Sequence, residues 1–273
     1  MLRIDKNSKI FIGIILGIAA FIAIIPFLWM ILSAFKPNAE IVSLDGFILP
    51  RNWTFKNFKE LFYRLNFGTY FKNTLIVTLL GFVGLFLNVM CGYGFARYDF
   101  KHKRFLFLAV LATMMIPGQV TMIPAYLILN SLNLTNTYLG MVLPTLANGF
   151  TIFLFRQFFS RISEEILDAA RIDGAGEFRT FFNIALPLSK PILAVQIILT
   201  FIGGWNSFLW PLITASDQSY YTLSVGLQLL QGQHASDYGL QMAGSAFMVI
   251  PILIIFLVFQ KYLLEGFDLS GNK

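Results

Sequence analysis

Five long stretches of this chain carry no Asp, Glu, Lys or Arg: residues 10–35, 73–96, 105–155, 191–216 and 238–260. A helix needs about 20 apolar residues to cross roughly 30 Å of hydrocarbon, and every stretch is long enough for at least one. The polar segment Asn130–Thr137 divides the longest into two. Six spans follow, near 12–33, 73–96, 105–129, 138–159, 190–213 and 240–262. Barrel strands are excluded, because the runs are too long and lack the alternation a membrane barrel imposes. Composition agrees: 57% of the 273 residues are hydrophobic and 12% are charged, against roughly 25% charged in soluble domains. A disordered chain would be charged and poor in apolar residues. The core of a soluble domain does not absorb whole uncharged segments. The expected fold class is all-α, a polytopic membrane protein with six transmembrane helices. It divides into an N-terminal span with the first outer loop, residues 1–72, and a core of residues 73–273.

Six spans put both termini on one side, and the cytoplasmic bias of Lys and Arg chooses which. Fourteen of the 20 basic residues lie in the N-terminus, the 97–104 loop, the 156–190 segment and the C-terminus. The other six lie between Lys36 and Lys72. Both termini are therefore expected in the cytoplasm. The first apolar run is too long for a secretory signal and lacks a small-residue cleavage site, so it reads as an uncleaved anchor. The net charge of +6 suits contact with the inner leaflet of the membrane rather than with nucleic acid.

Motifs for chemistry are missing. A phosphate cradle needs Gly-Lys followed by Ser or Thr, and no Gly-Lys pair occurs. Gly92 and Gly94 lie inside an apolar span, where small residues serve close helix packing. Glu164 and Glu165 follow Ser163, a good N-cap, and acids in a first helical turn oppose the macrodipole. Cys91 is the only cysteine, which excludes an internal disulfide and a cysteine metal site. His102 and His234 fall in loops on opposite sides of the membrane and cannot share a metal. The spans carry no Asp, Glu or His at a midplane, the residues an ion-coupled carrier uses to bind its proton or cation. A solute moved by this chain draws its energy from elsewhere.

The segment 160–190 is the most informative. One short helix is expected from Ser163 to near Gly174, where a left-handed backbone is easily accommodated. A second runs from about Gly176 and ends before Pro187. Ile166, Leu167, Ala169, Ala170 and Ile172 give the first helix apolar sides, and Phe178, Phe181 and Phe182 do so for the second. Too short and too charged to span, this hairpin is apolar enough to dock, both under its own membrane domain and against a partner.

Asp168-Ala169-Ala170-Arg171-Ile172-Asp173-Gly174-Ala175, followed by Ile184-Ala185-Leu186-Pro187 and Pro191, resembles the cytoplasmic signature loop of ABC-importer permeases. The family pattern is Glu-Ala-Ala, a following Asp-Gly-Ala, then Ile-x-x-Pro; Asp168 stands at the Glu position and keeps its charge. Tyr93-Gly94-Phe95-Ala96-Arg97-Tyr98-Asp99-Phe100, Met115-Ile116-Pro117, Ile123-Pro124 and Gly204-Trp205-Asn206-Ser207-Phe208-Leu209-Trp210-Pro211-Leu212 resemble the carbohydrate branch, permeases similar to the maltose-importer inner-membrane subunit. The tail Gly266-Phe267-Asp268-Leu269-Ser270-Gly271 resembles that subunit's C-terminal end loosely.

The resemblance implies a type I ABC importer permease in a bacterial or archaeal cytoplasmic membrane. Two permease chains, here a heterodimer, would form the pathway, and two ATPase subunits would bind ATP and Mg below it. An extracytoplasmic solute-binding protein would deliver a di- or oligosaccharide. The loop would couple to an ATPase through Asp168, Ala169, Ala170, Asp173, Gly174 and Ala175, swinging the spans between inward-open and outward-open states. The chain itself would need no cofactor and catalyse nothing. Sugars offer C–H faces and hydroxyls to aromatic and amide side chains, which makes Asn88, Gln119, Asn148, Trp205 and Asn206 the pathway candidates. Interhelical hydrogen bonding is the alternative for each. The amide-rich loop Ala215–Gly239 is expected to meet the binding protein. Other readings are the same fold carrying a phosphorylated polyol or a peptide, an ion-coupled carrier, or a membrane-embedded enzyme. The last needs clustered carboxylates, histidines or a nucleophile at a membrane face, which the sequence lacks.

Overall fold

The computed structural model describes residues 6–43 and 48–271. Arg3 and Lys273, two of the basic residues that set the expected orientation, lie outside them. The helices are α1 Lys6–Ser33, α2 Asn38–Val42, α3 Lys56–Arg64, α4 Phe67–Arg97, α5 Lys103–Met115, α6 Gly118–Ser131, α7 Tyr138–Leu146 and α8 Gly149–Phe159. They continue as α9 Glu164–Ile172, α10 Glu177–Thr180, α11 Leu186–Leu188, α12 Lys190–Trp205, α13 Leu209–Thr214, α14 Leu223–Gln233 and α15 Tyr238–Gly271. One π-helical turn, Phe181–Ala185, joins α10 to α11, and a 3-10 turn covers Gln218–Tyr220. No strand occurs among the described residues.

Three helical segments are long and apolar enough to span unbroken: Asn7–Ser33, Phe67–Arg97 and Tyr238–Lys261. Three pairs reach that length only together: α5 with α6, bent by 106°, α7 with α8, bent by 44°, and Glu177–Leu188 with α12, bent by 83°. Counted as one span each, the pairs bring the total to six.

Three of the expected spans are not single rods, and a proline accounts for the break in two of them. The run 105–129 breaks because Ile116 precedes Pro117 and is extended, at φ −93° and ψ 118°, the conformation a following proline imposes. The run 138–159 breaks at Ala147 and Asn148. The run 190–213 ends at Trp205, with α13 separate, since Pro211 offers no N–H to Ser207 four residues back. The second loop helix does not stop before Pro187 as expected. It passes through it by way of the π turn, which widens the helix just where the proline ring would crowd a carbonyl.

The described structure forms two compact units, Met1–Phe67 with Leu227–Ile250, and Gly68–Gly226 with Pro251–Lys273. In the first, Phe35 packs against Trp53, Phe55 and Phe58 with ring centroids 5.8, 5.3 and 5.1 Å away. The Glu40 carboxylate accepts the backbone N–H of Arg51 at 2.7 Å and of Asn52 at 3.3 Å. The Arg51 bond is the main cause holding Glu40 below the usual carboxylate range. Asn38 donates to the Ser236 carbonyl and accepts the Tyr238 N–H. The 215–239 stretch is not a bare loop: it contains α14, in which Leu223, Val225 and Leu230 are buried.

In the second unit, one face of α4 presents Gly84, Asn88 and Gly92, each four residues from the next and so aligned along the helix. This face meets the broken pair α7–α8. A Cβ on Gly84 would lie 3.0 Å from the Leu146 backbone, and one on Gly92 would lie 2.7 Å from Phe155 Cβ. Between them, the Asn88 amide donates to the Leu146 carbonyl at 2.8 Å and accepts the Asn148 N–H at 3.1 Å. Asn148 caps α8 by accepting from Thr151 N at 2.9 Å. A helix interrupted in a membrane must find partners for its freed backbone groups, and Asn88 supplies two. Asn88→Leu should leave both groups unpaired at about 1–3 kcal/mol each. The expected result is normal membrane levels and a melting midpoint in mild detergent several degrees lower; an unchanged midpoint would show that the break does not depend on Asn88.

Candidate functional site

The 160–190 loop is rooted at its base and exposed at its tip. Ser163 occupies the N-cap of α9 with an extended backbone, but its hydroxyl makes no cap bond. The adjacent Glu164 instead pairs with Arg97 at 2.6 Å. The Arg97 guanidinium also donates to the carbonyls of Phe159 and Ile162. It thus closes the C-terminal end of α8, where a cation is favoured by the helix dipole. One residue on, the Tyr98 hydroxyl donates to Glu177 at 2.7 Å. Burial first, and that bond second, push the Tyr98 hydroxyl pKa upward. Both sides of the hairpin are thereby tied to the end of α4.

α9 ends as its sequence foretells. Gly174 has φ +78°. Ala175 N–H bonds to the Ala170 carbonyl at 2.9 Å and Gly174 N–H to the Arg171 carbonyl at 3.0 Å. These are the two bonds of a Schellman close with Gly174 in the left-handed position. Arg171 pairs with Asp168 at 2.9 Å and reaches Glu177 at 3.4 Å, and the Asp168 bond is the main cause raising the Arg171 pKa. Leu167 and Ala170 are buried, whereas Asp168, Ala169, Asp173 and Gly174 are exposed and Ala175 is half-buried. Ile172 and Phe178 are 86% and 73% exposed. So α9 has one side packed inward, while two large apolar side chains of the hairpin project outward.

A cavity of about 380 Å³, with an apolar wall carrying several polar groups, lies in the same unit beside the α7–α8 break. Asn88, Thr145, Asn148, Thr151, Gln196, Thr200 and Ser207 supply its polar lining, and none of the described lining residues is charged. Two of the five pathway candidates, Asn88 and Asn148, meet here. The other three do not line it. Gln119 is exposed on α6, and Asn206 is exposed at the end of α12. Trp205 is 1% exposed, with its ring stacked on Phe201 at 5.3 Å.

Sequence reasoning gave no role to Arg97, Tyr98 or Gln196. Arg97 was visible as the basic end of an uncharged span, but its partner Glu164 lies 67 residues away. Gln196 was masked by the apolar run around it. Gly92 was read correctly as a packing residue; Gly94 has no atom near its missing Cβ.

Residues 84–266 match the family described as "Binding-protein-dependent transport system inner membrane component". The chain is 38% identical over 259 residues to the arabinooligosaccharides transport system permease protein AraQ of Halalkalibacterium halodurans, covering 93% of this chain and 92% of that protein. It is 34% identical over 245 residues to the diacetylchitobiose uptake system permease protein NgcG of Streptomyces coelicolor, covering 88% and 81%. A solved chain of a bacterial ABC transporter involved in the import of the acidic polysaccharide alginate matches with a TM-score of 0.81 at 25% identity, over 96% of this chain and 99% of that one. The chain belongs to the binding-protein-dependent inner-membrane components, as a multi-pass, non-catalytic permease subunit of an ABC importer on the carbohydrate-uptake branch.

Proposed function

We propose that this chain forms half of the translocation pathway for a di- or oligosaccharide, in a heterodimer with a second permease. Two ATPase subunits bind the ATP and Mg, and an extracytoplasmic binding protein delivers the sugar. Both termini and the 160–190 loop face the cytoplasm, a placement supported by the distribution of Lys and Arg. The observation that carries the reading is the hairpin that is rooted at its base while Ile172 and Phe178 stand in solvent. Apolar side chains of that size, held on a fixed helix, suit a cleft in a partner.

The geometry supplies a route for coupling. Movement of an ATPase bears on α9, and the Arg97–Glu164 and Tyr98–Glu177 contacts carry it to the end of α4. Nine residues back along that helix, about 14 Å at 1.5 Å per residue, Asn88 holds the α7–α8 break beside the cavity. A rigid helix joining the two points suits alternating access by rigid-body motion. The uncharged lining supports a neutral sugar over a phosphorylated polyol, since an anion would call for a cationic partner.

Gly174→Val tests the coupling role. A β-branched residue at φ +78° is strained by about 1–3 kcal/mol, although no atom lies within 4 Å of the added Cβ. The membrane domain does not depend on this turn, so insertion should be normal. ATPase copurification should weaken and sugar uptake should be lost. Arg97→Met, which unroots the hairpin, should act in the same direction and also speed tryptic cleavage at Arg161, Arg171 or Arg179. Asp168→Ala, which removes one exposed contact, should be milder. Wild-type ATPase binding and uptake in Gly174→Val would show that this loop is not the coupling element.

A further inference from the structure

We infer that Gln196 makes a direct hydrogen bond to a hydroxyl of the transported sugar as it passes the cavity beside the α7–α8 break. This rests on the sugar-import reading above. Gln196 is 4% exposed, on α12, and lines the cavity. Its Oε1 lies 3.3 Å from the Thr151 hydroxyl, and its Nε2 has no hydrogen-bond partner among the described residues. The Thr151 hydroxyl also lies 3.1 Å from Asn148 Oδ1, yet a hydroxyl has a single hydrogen to give. If that hydrogen goes to Asn148, the Gln196 amide turns so that Nε2 donates to Thr151 and Oε1 is left over. If it goes to Gln196, Nε2 is left over. In either orientation one polar end of a buried amide stays unmatched.

Burying such a group costs free energy unless something pairs with it. A ligand hydroxyl both donates and accepts, so it satisfies whichever end is spare. Asn88, by contrast, is committed to Leu146 and Asn148 through both ends of its amide. Thr145 donates its hydroxyl hydrogen back to the Val142 carbonyl. Of the two buried amides in the lining, Asn88 and Gln196, it is thus Gln196 that has unspent capacity. An uncharged site with a neutral amide suits a neutral polyhydroxyl compound rather than an ion.

The test uses the complete importer in proteoliposomes, with binding protein outside and ATP inside. The probes are radiolabelled arabinotriose and N,N′-diacetylchitobiose, with monodeoxy analogues of whichever one is carried. Gln196→Met keeps the shape and removes the amide. Sugar moved per ATP should fall about fivefold, the scale of one lost neutral hydrogen bond, while binding-protein-stimulated ATPase stays within about twofold. One monodeoxy analogue should be carried about fivefold less well than its parent by the wild type, and no less well than its parent by Gln196→Met. Gln196→Asn, which retracts the amide by one methylene, serves the same comparison if the Met variant does not assemble. A fall in uptake and ATPase together, an unchanged ratio, or identical discrimination among deoxy analogues by wild type and variant would each overturn the contact and leave Gln196 an interhelical or water-holding residue. Uptake by the wild type of neither probe, with its ATPase still stimulated, would instead strike at the sugar reading and remove the contact with it.

Discussion

The central constraint in this protein is that a helix broken within an apolar environment must have its loose backbone groups satisfied. The α7–α8 pair meets it through one face of α4. Gly84 and Gly92 let the backbones approach, and Asn88 between them bonds to the groups on either side of the break. The arrangement places polar atoms in a predominantly apolar bundle without charge. It also ties the cavity wall to a single long helix, so a shift of α4 is a shift of that wall.

The far end of the same helix roots the hairpin. Arg97 is nearly buried and pairs with Glu164, closes α8, and leaves the hairpin tip free to present Ile172 and Phe178. An ion pair with one exposed partner adds little stability. Its value here is positional, since it fixes where α9 begins relative to α4. The contacts at the α7–α8 break and at the root of the hairpin thus both fall on α4.

Much of this was legible from the residues. Runs without charge mark spans because every buried charge in lipid is expensive. Gly174 was legible because the need for positive φ is local to one turn, and the observed φ of +78° meets it. Pro117 carried a break signal that the expected single span 105–129 passed over. Asn148 did not: an amide in an apolar run reads equally as a ligand contact or a cap, and only the position of Asn88 on another helix shows which bonds it makes. The Arg97–Glu164 and Gln196–Thr151 pairs lie 67 and 45 residues apart in sequence, and no local pattern joins such positions. Ser163 shows the opposite failure, a well-chosen cap residue whose hydroxyl forms no cap bond.

The claim that unites these features is that the chain is a passive membrane half whose energy enters through the hairpin. Uptake of a labelled oligosaccharide into proteoliposomes measures this directly. The vesicles carry this chain, its partner permease and the ATPase subunits, with binding protein outside. Uptake should require internal ATP and should persist when ionophores collapse every ion gradient. Accumulation by this chain alone, without ATP and abolished by an ionophore, would contradict the account.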